Sequence, residues 1–386
     1  MTDRRVLLFS PLSDRDPTSG DTSYTEALVA HPPPGVHYTT YQEAIAAGTV
    51  RVRGRKPWRN PRDLSDLAIF GLRLIESGLR KCGVLFREPN WFITVQPGAF
   101  DLIHQHLFPI RQVGTRLPVV SSAGYPLSEL YRFREGWSPN RTRVATAGES
   151  IMARLFDVHV PWLHPVGNGV MTVYGEHFRS WLIARGVSAD RILIASTALP
   201  ELERSPLVSN GKTLGFIGRD FLRKGGDIAI GAFRRLHDQD PTWTMIVVTT
   251  REHAASSVDA GSGVELIVDP SREVVLREVV PRIDILLCPT RSDCGAPYGI
   301  LESLQADTCV VTSTIPWLDD RLGPPSVMRV PNTVDSVVAG VQDLVRSGLS
   351  EAQSAAHELW KTEFSMSELH ADLSRAYDLA IGPASR

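Results

Sequence analysis

Three glycines and three cationic residues lie together in GRDFLRKGG, residues 218–226, between an apolar run and a helical pattern. The apolar residues 214–217 predict a buried strand, and residues 227–233 predict a helix with Asp227 as its N-cap. Glycine lets backbone N–H groups approach a ligand closely, and a helix N-terminus carries partial positive charge. With Arg219 and Lys224 as charged donors, this turn suits a diphosphate, although a solvated basic loop has the same composition.

A second glycine-bearing loop precedes a helical pattern in DCGAPYGILESLQA, residues 293–306, after an apolar run that ends at Cys288. Glu302, one turn inside that helix, could accept hydrogen bonds from both hydroxyls of a ribose, while the loop amides could meet phosphates. Taken alone, Glu302 is better interpreted as a solvated helix glutamate. The nucleotide interpretation therefore depends on the two segments together.

Short apolar runs alternate with helical patterns along the chain, which predicts an α/β protein with doubly wound parallel sheets. Proline, serine and glycine interrupt this alternation near residues 196–213, which indicates a domain boundary. The predicted strands are residues 6–10, 36–41, 102–106, 118–122, 170–174, 192–195, 214–217, 244–249, 265–268, 283–288 and 308–313. The predicted helices include residues 63–80, 227–237, 298–306 and 365–380.

In their order, the two glycine-bearing segments resemble the second domain of the family 4 retaining glycosyltransferases, which use nucleotide sugars. Residues 100–106, residues 173–191 and the C-terminal helix are similar to further segments of that family. The resemblance implies a GT-B fold, in which two Rossmann-like domains face a central cleft. Residues 1–200 would form the acceptor-side domain, residues 201–362 would bind the nucleotide sugar, and the helix in residues 363–386 would cross back to the first domain.

The resemblance also implies an activity and a site. A hexose-type sugar would move from a nucleoside diphosphate sugar to a hydroxyl acceptor with retention of configuration, and no divalent metal or cofactor would take part. Arg219 and Lys224 would bind the donor diphosphate and stabilise the leaving group, and Glu302 would bind the ribose. Further implied substrate-binding positions are Gly20 and Asp21 in the loop after the first strand, His106, Gly124, Gly218, Asp293, Cys294, Gly295, Ala296, Pro297, Tyr298 and Gly299.

The chain departs from the family pattern at two positions. Cys294 stands where the family usually has a first glutamate, seven intervening residues before Glu302, and Asp293 lies beside it. Gly124 stands where the corresponding strand often ends in histidine, a role that His106 could take. These departures favour one alternative, a catalytically silent nucleotide-sugar-binding protein. A nucleotide-sugar epimerase or phosphorylase on the same fold is a further alternative.

Charge and composition narrow the partners. The net charge of −2 argues against a dedicated nucleic-acid binder, and no apolar run is long enough for a transmembrane helix. The four cysteines follow neither a metal-binding nor a disulfide pattern, which fits a cytoplasmic protein. The basic run Arg51–Arg59 either contacts lipid phosphates, as in a peripheral membrane protein, or forms a solvated loop. The acceptor (glycan, lipid or small molecule) and the oligomeric state stay open.

Two further patterns allow two interpretations each. His104 and His106 are two residues apart on a predicted strand, so both should point to the same face, either toward the site or as structural histidines. Residues 131–137 interleave aromatic and cationic side chains, which fits an acceptor-recognition loop or a surface helix with its aromatic residues turned inward.

Overall fold

The computed structural model describes residues 3–10, 20–53, 64–81, 91–106, 108–114, 116–134, 136–155, 157–161, 163, 169–195, 197–202, 210–252 and 263–382. The chain divides into two units, one formed by Met1–Ser196 with Leu369–Arg386 and the other by Thr197–Glu368. Each unit contains a parallel six-stranded sheet with helices in the connections between strands. Within the described residues, no helix combines the length and the apolarity needed to cross a membrane.

The first unit orders its main sheet β2-β1-β5-β7-β8-β9, and a smaller sheet is ordered β3-β4-β6. Its strands are β1 Arg4–Phe9, β2 Val36–Thr40, β3 Val50–Val52, β4 Trp91–Val95, β5 Leu102–His106, β6 Ile110–Gln112, β7 Val119–Ala123, β8 Val170–Val173 and β9 Ile192–Ile194. Its helices are α1 Gly20–Ala30, α2 Tyr41–Ala46, α3 Leu64–Lys81, α4 Leu127–Arg134, α5 Pro139–Leu155 and α6 Glu176–Ile183. The smaller sheet was not predicted, because two of its strands have only three residues.

Aromatic side chains connect the two sheets of the first unit. The ring of Phe9 at the end of β1 lies 4.9 Å from Tyr41, 5.4 Å from Trp91 and 6.0 Å from Phe108, measured between ring centroids. All four side chains are buried, and edge-on aromatic contacts of this kind stabilise a core beyond the area that they bury. This packing fixes the carboxyl end of β1, where a site of the first unit would be built.

The second unit orders its sheet β12-β11-β10-β13-β14-β15. Its strands are β10 Thr213–Ile217, β11 Thr244–Thr249, β12 Val264–Val268, β13 Ile285–Cys288, β14 Cys309–Ser313 and β15 Val327–Val330. Its helices are α7 Gly226–Gln239, α8 Arg272–Val274, α9 Tyr298–Gln305 and α10 Val334–Glu363, which is interrupted at Gly348. Counted along the chain, this strand order is 3-2-1-4-5-6, that of a dinucleotide-binding Rossmann sheet.

The C-terminal helix, α11 Met366–Ile381, packs on the first unit through Tyr377. The fully buried Tyr377 hydroxyl lies 2.6 Å from the hydroxyl of Tyr38 and 2.7 Å from Nδ1 of His104. Arg4 on β1 forms an ion pair with Asp378 on the same helix. The last helix is therefore attached to the first sheet by buried hydrogen bonds as well as by apolar contact.

Candidate functional site

The strand order of the second unit singles out one place for a ligand. The order reverses between β10 and β13, and ligands of open α/β sheets bind outside the carboxyl ends of the strands at such a point. The segment after β10 is the turn 218–225, and the segment after β13 is the loop 289–297. The two segments singled out from the sequence therefore meet at the switch point of the sheet.

Glycine is required in the turn because the loop after β13 comes very close to it. Gly225 has φ +77°, and a Cβ atom there would lie 2.0 Å from the carbonyl oxygen of Pro289. A Cβ on Gly218 would lie 2.7 Å from the ring of Phe216. Phe221, which is 1% exposed, anchors the middle of the turn in the core. The turn is thus held against the second loop, and it leads directly into α7.

Lys224 and Asp293 form an ion pair between the two loops. Their side chains are only 20% and 14% exposed, so the pair is largely shielded from water. Arg223 supports the same contact, since its guanidinium donates to the carbonyl of Ser292 at 2.8 Å and to Asp220 at 2.9 Å. It also lies 3.8 Å from Asp293. The carboxylate of Asp293 therefore occupies the place beside the Lys224 ammonium in this structure.

The sequence predicted Asp227 as the N-cap of α7, and this prediction is wrong. Gly225 occupies that position in a left-handed conformation, and α7 begins at Gly226. Asp227 instead accepts two hydrogen bonds from Arg291, at 2.7 and 2.6 Å, and this pairing lowers the pKa of its carboxyl. The Asp227 carboxylate therefore connects the first turn of α7 to the loop 289–297.

The loop after β13 is held by backbone hydrogen bonds. Gly295 has φ +60°, its N–H donates to the carbonyl of Trp317 at 2.9 Å, and its own carbonyl accepts from Asp319 at 2.9 Å. The Gly295 amide is therefore engaged within the protein and is not open to a phosphate. Of the neighbouring candidates, Cys294 is half-buried, and the carbonyl of Ala296 accepts a hydrogen bond from the Thr197 hydroxyl at 2.6 Å. Pro297 is the N-cap of α9, and Tyr298 and Gly299 form the first turn of that helix.

Glu302 on α9 is held by Arg272, the first residue of α8. The guanidinium donates two hydrogen bonds to Oε1 of Glu302, at 3.1 and 2.8 Å. The Glu302 side chain is 9% exposed, and no described residue donates to its Oε2. Burial raises the pKa of Glu302, while the charge and the hydrogen bonds of Arg272 lower it. The arrangement leaves one carboxylate oxygen available to accept a ligand hydroxyl.

The first-unit candidates have different surroundings. Gly20 and Asp21 were predicted to lie in a loop, but they form the first turn of α1. His106 is buried at the end of β5, where its Nδ1 lies 3.1 Å from the carbonyl of Ser122, and Gly124 follows β7 in a bend. His104 also points to the Ser122 side of the sheet, as predicted, because its Nε2 lies 2.6 Å from the Ser122 hydroxyl. Burial beside His106 lowers the pKa of His104 to about 3, which marks a neutral, structural histidine.

The basic run Arg51–Arg59 is only partly described, since residues 54–59 lie outside the described ranges. Residues 51 and 52 belong to β3 and not to a loop. Arg53 is buried, and its guanidinium lies 3.3 Å from the hydroxyl of Thr94. In the described part of the run, Arg51 is exposed on β3 and Arg53 is buried, and contact with lipid phosphates stays a prediction. Residues 131–134 belong to the helix α4, in agreement with the surface-helix interpretation.

Sequence reasoning missed Arg223, Arg272 and Arg291, which contact the predicted site residues. Their partners are distant along the chain: Arg272 is 30 residues from Glu302, and Arg291 is 64 residues from Asp227. Only one signal was available in the sequence, Arg291, an arginine three residues after the end of β13 at Cys288. A cation at the carboxyl end of a strand of a doubly wound sheet is well placed for a site residue.

Residues 211–347 match the family model described as Glycosyl transferases group 1. The match lies within the second unit and contains both loops. Comparison with curated proteins gives no match.

Solved structures align with nearly the whole chain. A glycosyltransferase from Rickettsia africae ESF-5 aligns with a TM-score of 0.58 and 12% identity over 100% of both chains. Sucrose-phosphate synthase from Thermosynechococcus elongatus gives a TM-score of 0.60 at 12% identity, over 97% of this chain and 98% of its own. Anabaena HepE in complex with UDP and glucose gives 0.54 at 13% identity, over 97% and 98%. The fold is GT-B. The GT-B fold predicted from the family resemblance is thus confirmed.

Proposed function

We propose that this GT-B protein is a glycosyltransferase that moves a sugar from a nucleoside diphosphate sugar to a hydroxyl acceptor, with retention and without a divalent metal. The observation that carries the proposal is the Lys224 turn at the sheet's switch point, packed against the loop that leads to Glu302. The family match over residues 211–347 supports it, and so does the UDP bound to the structurally similar HepE.

The diphosphate would bind at the amino end of α7. Its charge would be neutralised by Lys224, by the exposed Arg219 and by the helix N-terminus. Because Lys224 is paired with Asp293 in this structure, the incoming diphosphate must replace a carboxylate as the partner of the ammonium. The displaced carboxylate of Asp293 would keep the guanidinium of Arg223, 3.8 Å away, as its cationic neighbour.

Glu302 would orient the nucleoside. Its Oε1 is fixed by Arg272, and Oε2 would accept from a ribose hydroxyl. A carboxylate accepts charge-assisted hydrogen bonds from a diol without losing its own support from the guanidinium. The nucleoside and the diphosphate would then be held by segments 218–225 and 293–302, which belong to one rigid sheet edge.

In the chemical step the bond between the sugar C1 and the diphosphate oxygen breaks, and the acceptor oxygen forms a bond to C1 on the same face. The acceptor proton passes to the departing phosphate oxygen, so no side-chain base is required. Lys224, Arg219 and the N-terminus of α7 would stabilise the negative charge that develops on the diphosphate.

The test is a thermal-shift screen of the purified protein against nucleoside diphosphate sugars, followed by product analysis with acceptor hydroxyls. A ligand that binds only the folded state raises the melting temperature by mass action. We expect one nucleoside diphosphate to stabilise the protein and the glycosylated acceptor to keep the donor's anomeric configuration. Stabilisation by no nucleotide would contradict the proposed donor site.

A second candidate, a catalytically silent nucleotide-sugar binder, is favoured by Cys294. A thiol is a weak donor and a poor acceptor, so it cannot hold a sugar hydroxyl as a carboxylate does. This candidate predicts donor binding without transfer or hydrolysis. An epimerase would instead convert the donor sugar without any acceptor.

Replacing Cys294 by glutamate should change the preference for the donor sugar more than the preference for the nucleotide. A carboxylate at this half-buried position can accept from sugar hydroxyls, whereas the nucleotide contacts at residues 224 and 302 are unchanged. Competition binding with a panel of sugars on one nucleotide, and of nucleotides with one sugar, measures both. Cys294→Ser is the matched control. A changed nucleotide preference with the same sugar preference would contradict the assigned position and favour Asp293 as the residue that contacts the sugar.

Transfer should continue in excess EDTA. The proposed site neutralises the diphosphate with Lys224, Arg219 and a helix N-terminus, so a chelator removes nothing that the reaction needs. Initial rates are compared in EDTA, after dialysis, and after addition of magnesium or manganese. Complete loss of turnover that either metal restores would contradict the mechanism while leaving the fold unaffected.

A further inference from the structure

A polar groove of about 440 Å³ lies in the first unit between α4, α5 and α6. Four arginines line it: Arg132 from α4, Arg143 and Arg154 from α5, and Arg185, which follows α6. All its lining residues fall between residues 128 and 185, so the groove is separate along the chain from the proposed donor site.

The groove holds more positive than negative charge. Glu129, the one acidic residue among those that line it, accepts a hydrogen bond from Arg132 at 3.0 Å and also interacts electrostatically with Arg185. Arg143 and Arg154 form no hydrogen bond or ion pair with any residue in the described part of the chain. The groove is thus lined by four guanidinium groups and one carboxylate, which interacts with two of them. Guanidinium groups bind phosphate through two parallel hydrogen bonds, so this excess suits a phosphate group.

The same groove presents hydroxyl oxygens as acceptors. Thr142, Thr146 and Ser150 follow one another every four residues along α5, and each donates its hydroxyl proton to the carbonyl four residues earlier, at 3.1, 2.9 and 2.9 Å. With the proton engaged, each oxygen offers lone pairs to a ligand that can donate. A fully ionised phosphate group has no proton to donate to such acceptors, whereas a ligand with several hydroxyl groups has several.

One aromatic ring completes the groove. The guanidinium of Arg185 lies over the ring of Trp181, with Cζ 3.5 Å from the centroid, and also donates to the Trp181 carbonyl at 3.1 Å. The stacking fixes the orientation of this arginine, which lowers the entropy that it would lose on binding an anion.

We propose that this groove binds a phosphorylated polyol: the arginines hold the phosphate, and the hydroxyl row on α5 accepts from the polyol. The site goes beyond the donor site, because no residue of the second unit contributes to it. Two sources carry this chemistry, a soluble sugar phosphate and a lipid headgroup. The outer side of α5 bears Val144, Ile151 and Leu155 at 73%, 58% and 72% exposure, so the experiment must include a lipid arm.

The experiment uses the full chain carrying Arg219→Ala and Lys224→Ala, which removes phosphate binding at the proposed donor site. Glucose 6-phosphate, glucose and inorganic phosphate are titrated by calorimetry. In parallel, the protein is sedimented with vesicles of phosphatidylcholine, with and without phosphatidylglycerol. Binding of glucose 6-phosphate identifies the soluble source, and sedimentation only with phosphatidylglycerol identifies the lipid source. Absence of both overturns the proposal.

Variants of the groove decide whether that binding occurs at the proposed residues. Arg143→Ala and Arg154→Ala should each weaken it about fivefold, and the double variant about tenfold or more, as expected for partly exposed charge pairs. Glu129→Gln, which removes the competing carboxylate, should strengthen it about threefold. Ser150→Ala should weaken binding of the polyol phosphate more than binding of inorganic phosphate.

Arg141→Ala is the matched control, since Arg141 lies on α5 but does not line the groove, and its guanidinium stacks on Trp137 with Cζ 4.0 Å from the centroid. It should leave binding unchanged. An equal loss in Arg141→Ala and Arg143→Ala would mean that only the overall surface charge matters, which overturns the site. Circular dichroism of every variant verifies that the fold is retained.

Discussion

Replacing Lys224 by alanine should reduce donor affinity and turnover about tenfold to a hundredfold while leaving the fold intact. A hydrogen bond to a charged group contributes about 1.5–3 kcal/mol when one partner is removed. The Lys224 side chain is 20% exposed, so water screens this interaction only in part. Arg219→Ala should act in the same direction but less strongly, because Arg219 is exposed and its charge is better screened.

Because Asp293 pairs with Lys224, replacing Asp293 should have the opposite effect on nucleotide affinity to replacing Lys224. If the diphosphate must displace Asp293 from Lys224, then Asp293→Asn should strengthen binding of free nucleoside diphosphate about threefold to tenfold, as expected when a competing charge is removed. If Asp293 also holds the donor sugar, the same variant should lower turnover with the complete donor. Measuring the dissociation constant of the nucleotide and the kcat of transfer separates these two effects.

Lys212→Ala is the matched control for Lys224→Ala. Lys212 pairs with Asp240 at 2.6 Å in the same unit, but it lies at the start of β10 and not at its carboxyl end. Calorimetric titration of each variant with nucleoside diphosphate gives the comparison. Equal affinities for wild type, Lys224→Ala and Lys212→Ala would show that the turn does not bind the diphosphate, whatever the fold.

The second unit could be predicted well because its elements are locally marked. Its buried parallel strands are continuous apolar runs, and the strand predicted at residues 244–249 is confirmed with the same bounds. The predicted helix 298–306 ends one residue earlier, at Gln305. From the sequence, the glycines at positions 218 and 225 are predicted to let the backbone approach a ligand. Their closest neighbours turn out to be Phe216 and Pro289, so packing alone already requires glycine there.

The contacts of the candidate site could not be predicted, because they join residues that are far apart in sequence. Lys224 was expected to be open to a phosphate, yet Asp293 lies against it from a loop 69 residues away. Aspartate is a residue type favoured at N-caps, but Gly225, in a left-handed conformation, is the N-cap of α7. Asp227 therefore lies inside the helix, where it accepts hydrogen bonds from Arg291. Propensity identifies the elements, whereas the partner of a charged side chain depends on how strands are ordered in the sheet.

Replacing Glu302 by glutamine should weaken binding of the nucleoside diphosphate and of the complete donor by similar factors, about tenfold to a hundredfold. The variant loses a charge-assisted acceptor for the ribose, and it also loses the buried carboxylate that pairs with Arg272. A 2′,3′-dideoxyribose analogue should bind wild type and variant equally, since it has no hydroxyl to donate. If the variant weakens the analogue as much as the nucleotide, Glu302 does not contact the ribose.

Replacing Arg272 by alanine should shift the pH dependence of nucleotide binding to higher pH. Burial raises the pKa of Glu302, and Arg272, through its two hydrogen bonds and its charge, lowers it. Without the guanidinium the pKa rises further, so Glu302 takes up a proton at a higher pH than in wild type. A protonated carboxyl has lost its charge as an acceptor, and the affinity for nucleoside diphosphate should therefore fall on acidification, beginning at a higher pH in Arg272→Ala.

Dissociation constants measured between about pH 5 and 8 follow this change. Glu302→Gln should show only the pH dependence that comes from titration of the nucleotide's own terminal phosphate. Arg282→Ala, which removes the exposed partner of Glu265, should follow wild type. A pH profile for Arg272→Ala that coincides with wild type would contradict the role of Arg272 in keeping Glu302 ionised.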